Sequence, residues 1–164
     1  MRDEYSGLAL REGGFVTFTL PAFYGDNNRT TIEIYNSINK GRKANRNLLG
    51  LYSDCVYVPL RDRYLVYDVL NMKILQVDQH MLEIEDLVYN VKGSLSPART
   101  LAYDEVNNIL FVNFDDFKIM YFKLNEGNDF TFSYMDVVEV YGVERITDFS
   151  VMSGNRLVVL TRDG

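Results

Sequence analysis

The sequence lacks tryptophan and contains one cysteine, Cys55, and one histidine, His80, among its 164 residues. A single histidine excludes zinc sites built from several histidines, and a single cysteine excludes a disulfide within the chain. Small secreted domains usually need several disulfides, so we expect the cytoplasm or another reducing intracellular compartment. We also expect no signal peptide and no transmembrane helix, because Thr17, Thr19 and Pro21 interrupt the apolar patch near the N-terminus.

Alanine is also scarce, whereas β-branched and aromatic residues are abundant. Valine, isoleucine, threonine, phenylalanine and tyrosine make up about 34% of the chain, and these residues prefer strands. Hydrophobic residues account for 47% of the chain and charged residues for 24%, a balance typical of a globular domain. The composition therefore predicts a single all-β domain.

Acidic residues outnumber basic ones by 23 to 17, and the net charge of −6 disfavours binding to nucleic acid or to anionic lipid. One segment departs from this balance, because residues 40–46 contain basic side chains and no acidic one. The candidate binding residues there are Lys40, Arg42, Lys43 and Arg46. Asparagines flank them, so we expect a polar loop suited to a carboxylate-rich protein, a phosphate or RNA, although most charge runs are simply solvated.

Two segments of the chain align without a gap at an offset of 54 residues, residues 57–71 over residues 111–125. A third, shorter copy covers residues 158–164. Equivalent points of the three copies contain Asp62, Asp116 and Asp163. Because aspartate accepts hydrogen bonds from nearby backbone amides, we interpret these residues as turns between antiparallel strands. Aromatic residues inside the aligned strands are predicted to lie in the core, namely Tyr57, Tyr67, Phe111 and Tyr121.

These repeats predict units of four short strands joined by hairpins. One unit is expected over residues 48–78, a second over residues 99–140, and a third over residues 146–164 that stops after two strands. Two segments within residues 14–38 have the pattern of a third and a fourth strand, so we expect them to complete the last unit. The segments are Gly14–Leu20 and Thr31–Ile38.

The run Asp62–Val69 resembles the third strand of a blade in WD-repeat and related β-propellers, in which an aspartate turn precedes an apolar strand that ends in an aromatic residue and an aspartate. The resemblance extends over residues 48–164. It implies an all-β, β-propeller-like array of about three antiparallel four-stranded blades. Since closed propellers typically have about 4 to 8 blades, we interpret the chain as a fragment of a longer protein or as a half-ring.

The reactive side chains of the sequence have simpler structural interpretations. His80 precedes a stretch of acids, but a surface histidine in a connecting loop is the simpler interpretation. Cys55 begins a predicted strand, where a buried and inert thiol is typical. Residues 78–86 combine acidic and apolar side chains at spacings compatible with a short amphipathic helix or a strand, and we favour the helix.

Carboxylates are the remaining candidates for catalysis, since glycosidases use such pairs. Asp104–Glu105 and Asp115–Asp116 are the densest groups, and both lie in predicted turns where solvation explains them. We predict no catalytic residue, no metal and no cofactor. The predicted function is a non-catalytic protein interaction or scaffold module with an open sheet edge, which binds a protein partner or a second copy of the chain.

Two other functions stay open at this point. The first is a propeller-type hydrolase or lyase that uses carboxylates or a bound cation at the centre of the ring. It requires acids from different units to converge, and Asp104 with Asp148 is the candidate pair. The second is a viral or other structural subunit, which the richness in asparagine and tyrosine suggests.

Overall fold

The structure is a computed structural model whose regular elements are almost all strands. It describes residues 4–11, 14–20, 29–35, 42–49, 52–68, 73–78, 83–87, 100–113, 116–127, 131–152 and 156–162. For the strands before residue 54 and for residues 83–87 it describes the backbone. Within these ranges no helix is long and apolar enough to cross a membrane. The chain divides into two compact units, Met1–Asn90 and Val91–Gly164.

The first unit contains two four-stranded antiparallel sheets whose strands follow chain order. The first sheet consists of β1 (Glu4–Arg11), β2 (Gly14–Leu20), β3 (Arg29–Tyr35) and β4 (Arg42–Leu49). The second sheet consists of β5 (Tyr52–Val58), β6 (Arg63–Asp68), β7 (Lys73–Asp78) and β8 (Glu83–Leu87). A 3-10 turn, Pro59–Arg61, joins β5 to β6. Strand β1 lies against β5, so the first strands of the two sheets are neighbours.

The N-terminal sheet differs from the sequence prediction in the position of its strands. The predicted third and fourth strands, Gly14–Leu20 and Thr31–Ile38, correspond to β2 and β3, which are the two central strands of this sheet. Each of them is hydrogen-bonded to a strand on both sides. Neither strand therefore has an edge left with which to complete the unit that begins at residue 146.

The basic segment is a strand and not the predicted loop. Strand β4 contains Arg42, Lys43 and Arg46, and Arg46 lies opposite Ile32 of β3. Lys40 lies outside the described residues. Strand β4 is the last strand of its sheet, and last strands accommodate charged residues because only one of their sides is paired. The binding role of the basic segment stays a prediction.

The acidic segment also forms a strand, where the sequence favoured a helix. Residues Glu83–Leu87 are β8, which pairs antiparallel with β7. A segment of five residues is too short for a stable helix on its own, and its glutamates alternate with an apolar residue at the period of a strand. His80 lies outside the described residues.

Strand β6 is buried along almost its whole length. Residues 64–68 are all at most 2% exposed, although consecutive side chains of a strand point to opposite faces. Both faces of β6 are therefore covered. Tyr67 lies in the core as predicted, and so does Tyr64, whereas Tyr57 is only half-buried.

The second unit contains a four-stranded antiparallel sheet and a two-stranded hairpin. The sheet consists of β9 (Thr100–Asp104), β10 (Ile109–Asn113), β11 (Lys118–Leu124) and β12 (Phe132–Glu139). The hairpin consists of β13 (Ile146–Met152) and β14 (Arg156–Thr161). Strand β13 lies against β9, which repeats the contact between first strands in the other unit. The strands of this sheet all lie within the predicted range of residues 99–140.

The repeat in the structure has a different phase from the repeat in the sequence. The 54-residue offset superimposes the hairpin β5–β6 on the hairpin β10–β11. In its own sheet, β5–β6 joins the first strand to the second, whereas β10–β11 joins the second strand to the third. Equivalent turns contain Asp62 and Asn108, both with positive φ, and these residues are 46 positions apart. The run Asp62–Val69 therefore leads into a second strand, where the resemblance implied a third.

Candidate interaction surface

The hairpin β13–β14 has one buried face and one exposed face. On the buried face, Phe149 and Ile146 pack with Ala102 of β9 and Ile119 of β11. Leu157 and Val159 of β14 are partly buried against the same cluster. Burial of these apolar side chains fixes which face of the hairpin points inward.

The exposed face alternates with the buried one along both strands. Its side chains are Asp148, Ser150 and Met152 on β13, and Arg156, Val158 and Leu160 on β14. Met152 is 48% exposed, Val158 50% and Leu160 57%. Three apolar side chains on one face of the hairpin are thus about half exposed, which makes this face a candidate interaction site.

Strand β14 directs alternate backbone groups away from β13. The carbonyl of Leu160 accepts a hydrogen bond of 3.0 Å from the Thr147 hydroxyl, and the N–H of Arg162 donates one of 2.9 Å to the carbonyl of Arg145. Both partners belong to the β13 side. Since the N–H and C=O of one residue point to the same side of a strand, the intervening Thr161 points outward. The same alternation directs the backbone groups of Leu157 and Val159 outward.

The edge strand β12 of the neighbouring sheet is less suited than β14 to pairing with an added strand. Strand β12 is the last strand in the order of its sheet, and its register with β11 shifts at Met135. Such a bulge interrupts the regular row of backbone groups, and the charged Asp136 and Glu139 lie on the same strand. Strand β14 has neither an internal charge nor a bulged residue of its own between Leu157 and Leu160.

The acidic residues considered for catalysis have structural partners. The Asp104 carboxylate accepts hydrogen bonds from the N–H groups of Val106 and Asn107, at 2.9 and 3.1 Å, and from the Asn107 amide at 2.7 Å. Burial raises the pKa of Asp104, but these hydrogen bonds and the nearby Lys123 outweigh burial and lower its pKa overall. Asp104 therefore stabilises its own turn.

Asp148 and Asp116 have hydrogen-bond or ion-pair partners of their own. Asp148 is exposed and accepts a hydrogen bond of 2.8 Å from the N–H of Phe149. Asp116 forms an ion pair of 3.3 Å with Arg145, and its carbonyl accepts a hydrogen bond from Ile146. Across the described part of the chain, no three acidic, histidine or cysteine side chains are arranged to hold a metal ion.

Cys55 is buried, in agreement with its interpretation as an inert thiol. It is 2% exposed, and burial, followed by the charge of Asp54, raises the pKa of its thiol well above the ordinary value. A thiolate is the nucleophilic form of cysteine, so this environment suppresses reactivity.

A small pocket of about 330 Å³ lies where β12 leads into β13. Its polar side chains are paired, since one Glu139 oxygen lies 3.3 Å from the Lys118 ammonium and the other accepts a hydrogen bond from the Tyr141 hydroxyl. The hydrogen bond from Tyr141 and the nearby Lys118 lower the pKa of Glu139, and the same hydrogen bond raises the pKa of Tyr141. The arrangement stabilises the connection between the strands.

Comparisons with known proteins concern the fold. No protein-family model matches the sequence, and no curated protein matches it. The crystal structure of a nidogen/laminin complex aligns over 96% of this chain and 56% of its own, with a TM-score of 0.68 and 12% identity. A candidate 6-phosphogluconolactonase from Bacteroides uniformis aligns over 98% of this chain and 48% of its own, with a TM-score of 0.68 and 11% identity.

Both of these neighbours are β-propellers. The fold is β-propeller-like. The three four-stranded sheets correspond to blades, and the β13–β14 hairpin corresponds to the first two strands of a further blade. The comparisons support a propeller without identifying WD repeats in particular, and the chain spans about half the length of these structures.

Two features of these blades were not predicted from the sequence. A tyrosine on the first strand of a blade donates a hydrogen bond to the side chain of the turn residue five positions later, as in Tyr57 to Asp62 and Tyr103 to Asn108. A tyrosine followed at this spacing by aspartate or asparagine would have indicated the correct phase of the repeat. The exposed face of the last hairpin was also missed, because alternation in a sequence does not say which face is covered.

Proposed function

We propose that this protein is a non-catalytic interaction module that takes up an extended segment of a partner protein along the edge of β14. The observation that supports this proposal is the outward direction of the Leu157, Val159 and Thr161 backbone groups. An extended peptide gains affinity by pairing with such groups, and its side chains give specificity. The nidogen neighbour, which was solved in a complex with laminin, is consistent with a binding role for the fold.

The chemistry of β14 defines the partner segment. Leu157 and Val159 continue the buried face of the blade, whereas Val158 and Leu160 continue its exposed face. A strand added beside β14 places its own side chains on these same two faces. The preferred partner is therefore an extended segment with apolar residues at successive positions. A charged residue on the side of the segment that continues the buried face is disfavoured.

Peptide selection followed by calorimetry tests the proposal. Displayed ten-residue peptides are selected on the purified chain, and enriched sequences are synthesised and titrated. Thr161→Pro removes one outward N–H without touching the bonds to β13, so we expect about a tenfold loss of affinity. Thr161→Val is the matched control, because it keeps the N–H and should bind the peptide as the unaltered chain does.

Three outcomes would overturn strand addition at this edge. The first is the absence of enriched extended peptides, and the second is equal binding by Thr161→Pro and Thr161→Val. The third is catalytic turnover of lactones or other hydrolase or lyase substrates that Asp148→Asn abolishes, which would favour the enzyme alternative. Regular particles seen by electron microscopy would instead favour a structural subunit.

A further inference from the structure

The exposed face of the β13–β14 hairpin is organised in three rows across the two strands. The pairs that share a row are Asp148 with Leu160, Ser150 with Val158, and Met152 with Arg156. The central row contains no charge. Apolar side chains thus extend from one end of the face to the other, along a diagonal from Leu160 through Val158 to Met152.

Opposite charges occupy the two ends of this face. Asp148 lies in the first row and Arg156 in the third, and both side chains are exposed. Neighbouring residues on a strand are about 3.3 Å apart, so the four positions from Asp148 to Met152 separate the two end rows by about 13 Å. The face therefore has an acidic end and a basic end with an uncharged centre.

We propose that this face packs against the same face of a second copy of the chain, about a two-fold axis that crosses the strands at the Ser150–Val158 row. Such an axis reverses the order of the rows in the second copy. The row of Asp148 then meets the row of Arg156 at both ends, while the uncharged central rows meet each other. A surface with this polarity is complementary to itself, which is the requirement for an isologous dimer.

The face is small, which limits the area that the dimer can bury. Six side chains on each copy bury less than the ~1,200–2,000 Å² of a standard interface. The dimer is therefore reversible, with a dissociation constant on the order of 10–100 µM. It uses the side chains of the face and does not use the outward backbone groups of β14, so it is independent of the proposed strand addition.

Charge reversal tests the dimer by sedimentation equilibrium at protein concentrations from about 10 to about 500 µM, a range that brackets the expected dissociation constant. We expect the mass to rise from 19.0 kDa toward twice that value. Asp148→Arg and Arg156→Asp should each weaken association at least tenfold. The double variant, Asp148→Arg with Arg156→Asp, should restore it, and so should an equimolar mixture of the two single variants.

Several results would overturn the dimer, and they differ from those that concern the edge. A constant mass of 19.0 kDa over the whole concentration range would do so. So would a double variant or a mixture that fails to associate while thermal unfolding shows the variants to be folded. Loss of association in Thr161→Pro with no effect of charge reversal would assign self-association to the edge instead.

Discussion

The hydroxyl of Tyr57 on β5 donates a hydrogen bond of 2.7 Å to Oδ1 of Asp62. Asp62 is the last residue of the turn between β5 and β6, and its φ is 48°. The next blade repeats this contact between Tyr103 and Asn108, where the distance is 3.0 Å and φ is 54°. Aspartate and asparagine tolerate the left-handed conformation better than other side chains with a Cβ. The pair thus supplies both the turn geometry and a side-chain bond that connects the turn to the first strand.

Replacement of Asp62 should separate these two contributions. Asp62→Ala removes the acceptor of the Tyr57 hydroxyl and leaves an ordinary side chain at positive φ, so we expect a loss of about 1–3 kcal/mol in the free energy of unfolding. Asp62→Gly removes the hydrogen bond without the backbone strain, and should cost about 1 kcal/mol. Urea unfolding measures both. Equal costs for alanine and glycine would show that the left-handed conformation contributes nothing.

Asp104 should make stability depend on pH. Its pKa is lower in the folded chain than in the unfolded one, so its contribution is present above the unfolded value of about 3.9 and is lost as pH falls through the folded value. Asp104→Asn lacks the titrating group and should be less stable by about 1–3 kcal/mol at neutral pH. We expect this difference to shrink below about pH 4. Urea unfolding at several pH values measures this difference. A difference that does not change with pH would contradict the lowered pKa of Asp104.

Cys55 should resist thiol reagents in the native protein. It is buried, and the raised pKa keeps the thiol protonated at neutral pH. We expect a colorimetric thiol assay to detect no reaction before unfolding and one equivalent in denaturant. Rapid modification of the native chain would show that the strand β5 opens locally or that the thiol is exposed.

Phe149 should anchor the hairpin to its neighbouring blade. It is 6% exposed and packs with Ala102 and Ile119, so Phe149→Ala should cost about 3–5 kcal/mol. Val106→Ala is a suitable control, because Val106 is 86% exposed and its truncation should change stability by less than about 0.5 kcal/mol. Urea unfolding gives the totals, and hydrogen exchange should show the largest loss of protection in β13 and β14.

The all-β class and most of the hairpins could be predicted from alternating side chains and turn residues, as the strands that contain Tyr67 and Phe111 illustrate. The helix favoured for residues 78–86 was wrong because its short run of alternating residues pairs with β7, and long-range pairing outweighs weak helical spacing. The loop predicted over residues 40–46 was wrong for residues 42–46, which belong to β4. Charged side chains are tolerated there because β4 is the last strand of its sheet. Phe111 and Tyr121 were predicted in the core but are half-buried, and their rings stack at 5.9 Å.

The sequence by itself determined an all-β chain of short antiparallel strands, because β-branched and aromatic side chains and turn-forming aspartates act locally. The 54-residue alignment left open which strand of a blade each run becomes, and the tertiary structure decided it through the turn contacts of Tyr57 and Tyr103. The tertiary structure also decided that Phe149 is covered while Val158 is exposed. Period-two alternation creates two faces, and only packing against another sheet determines which of them is buried.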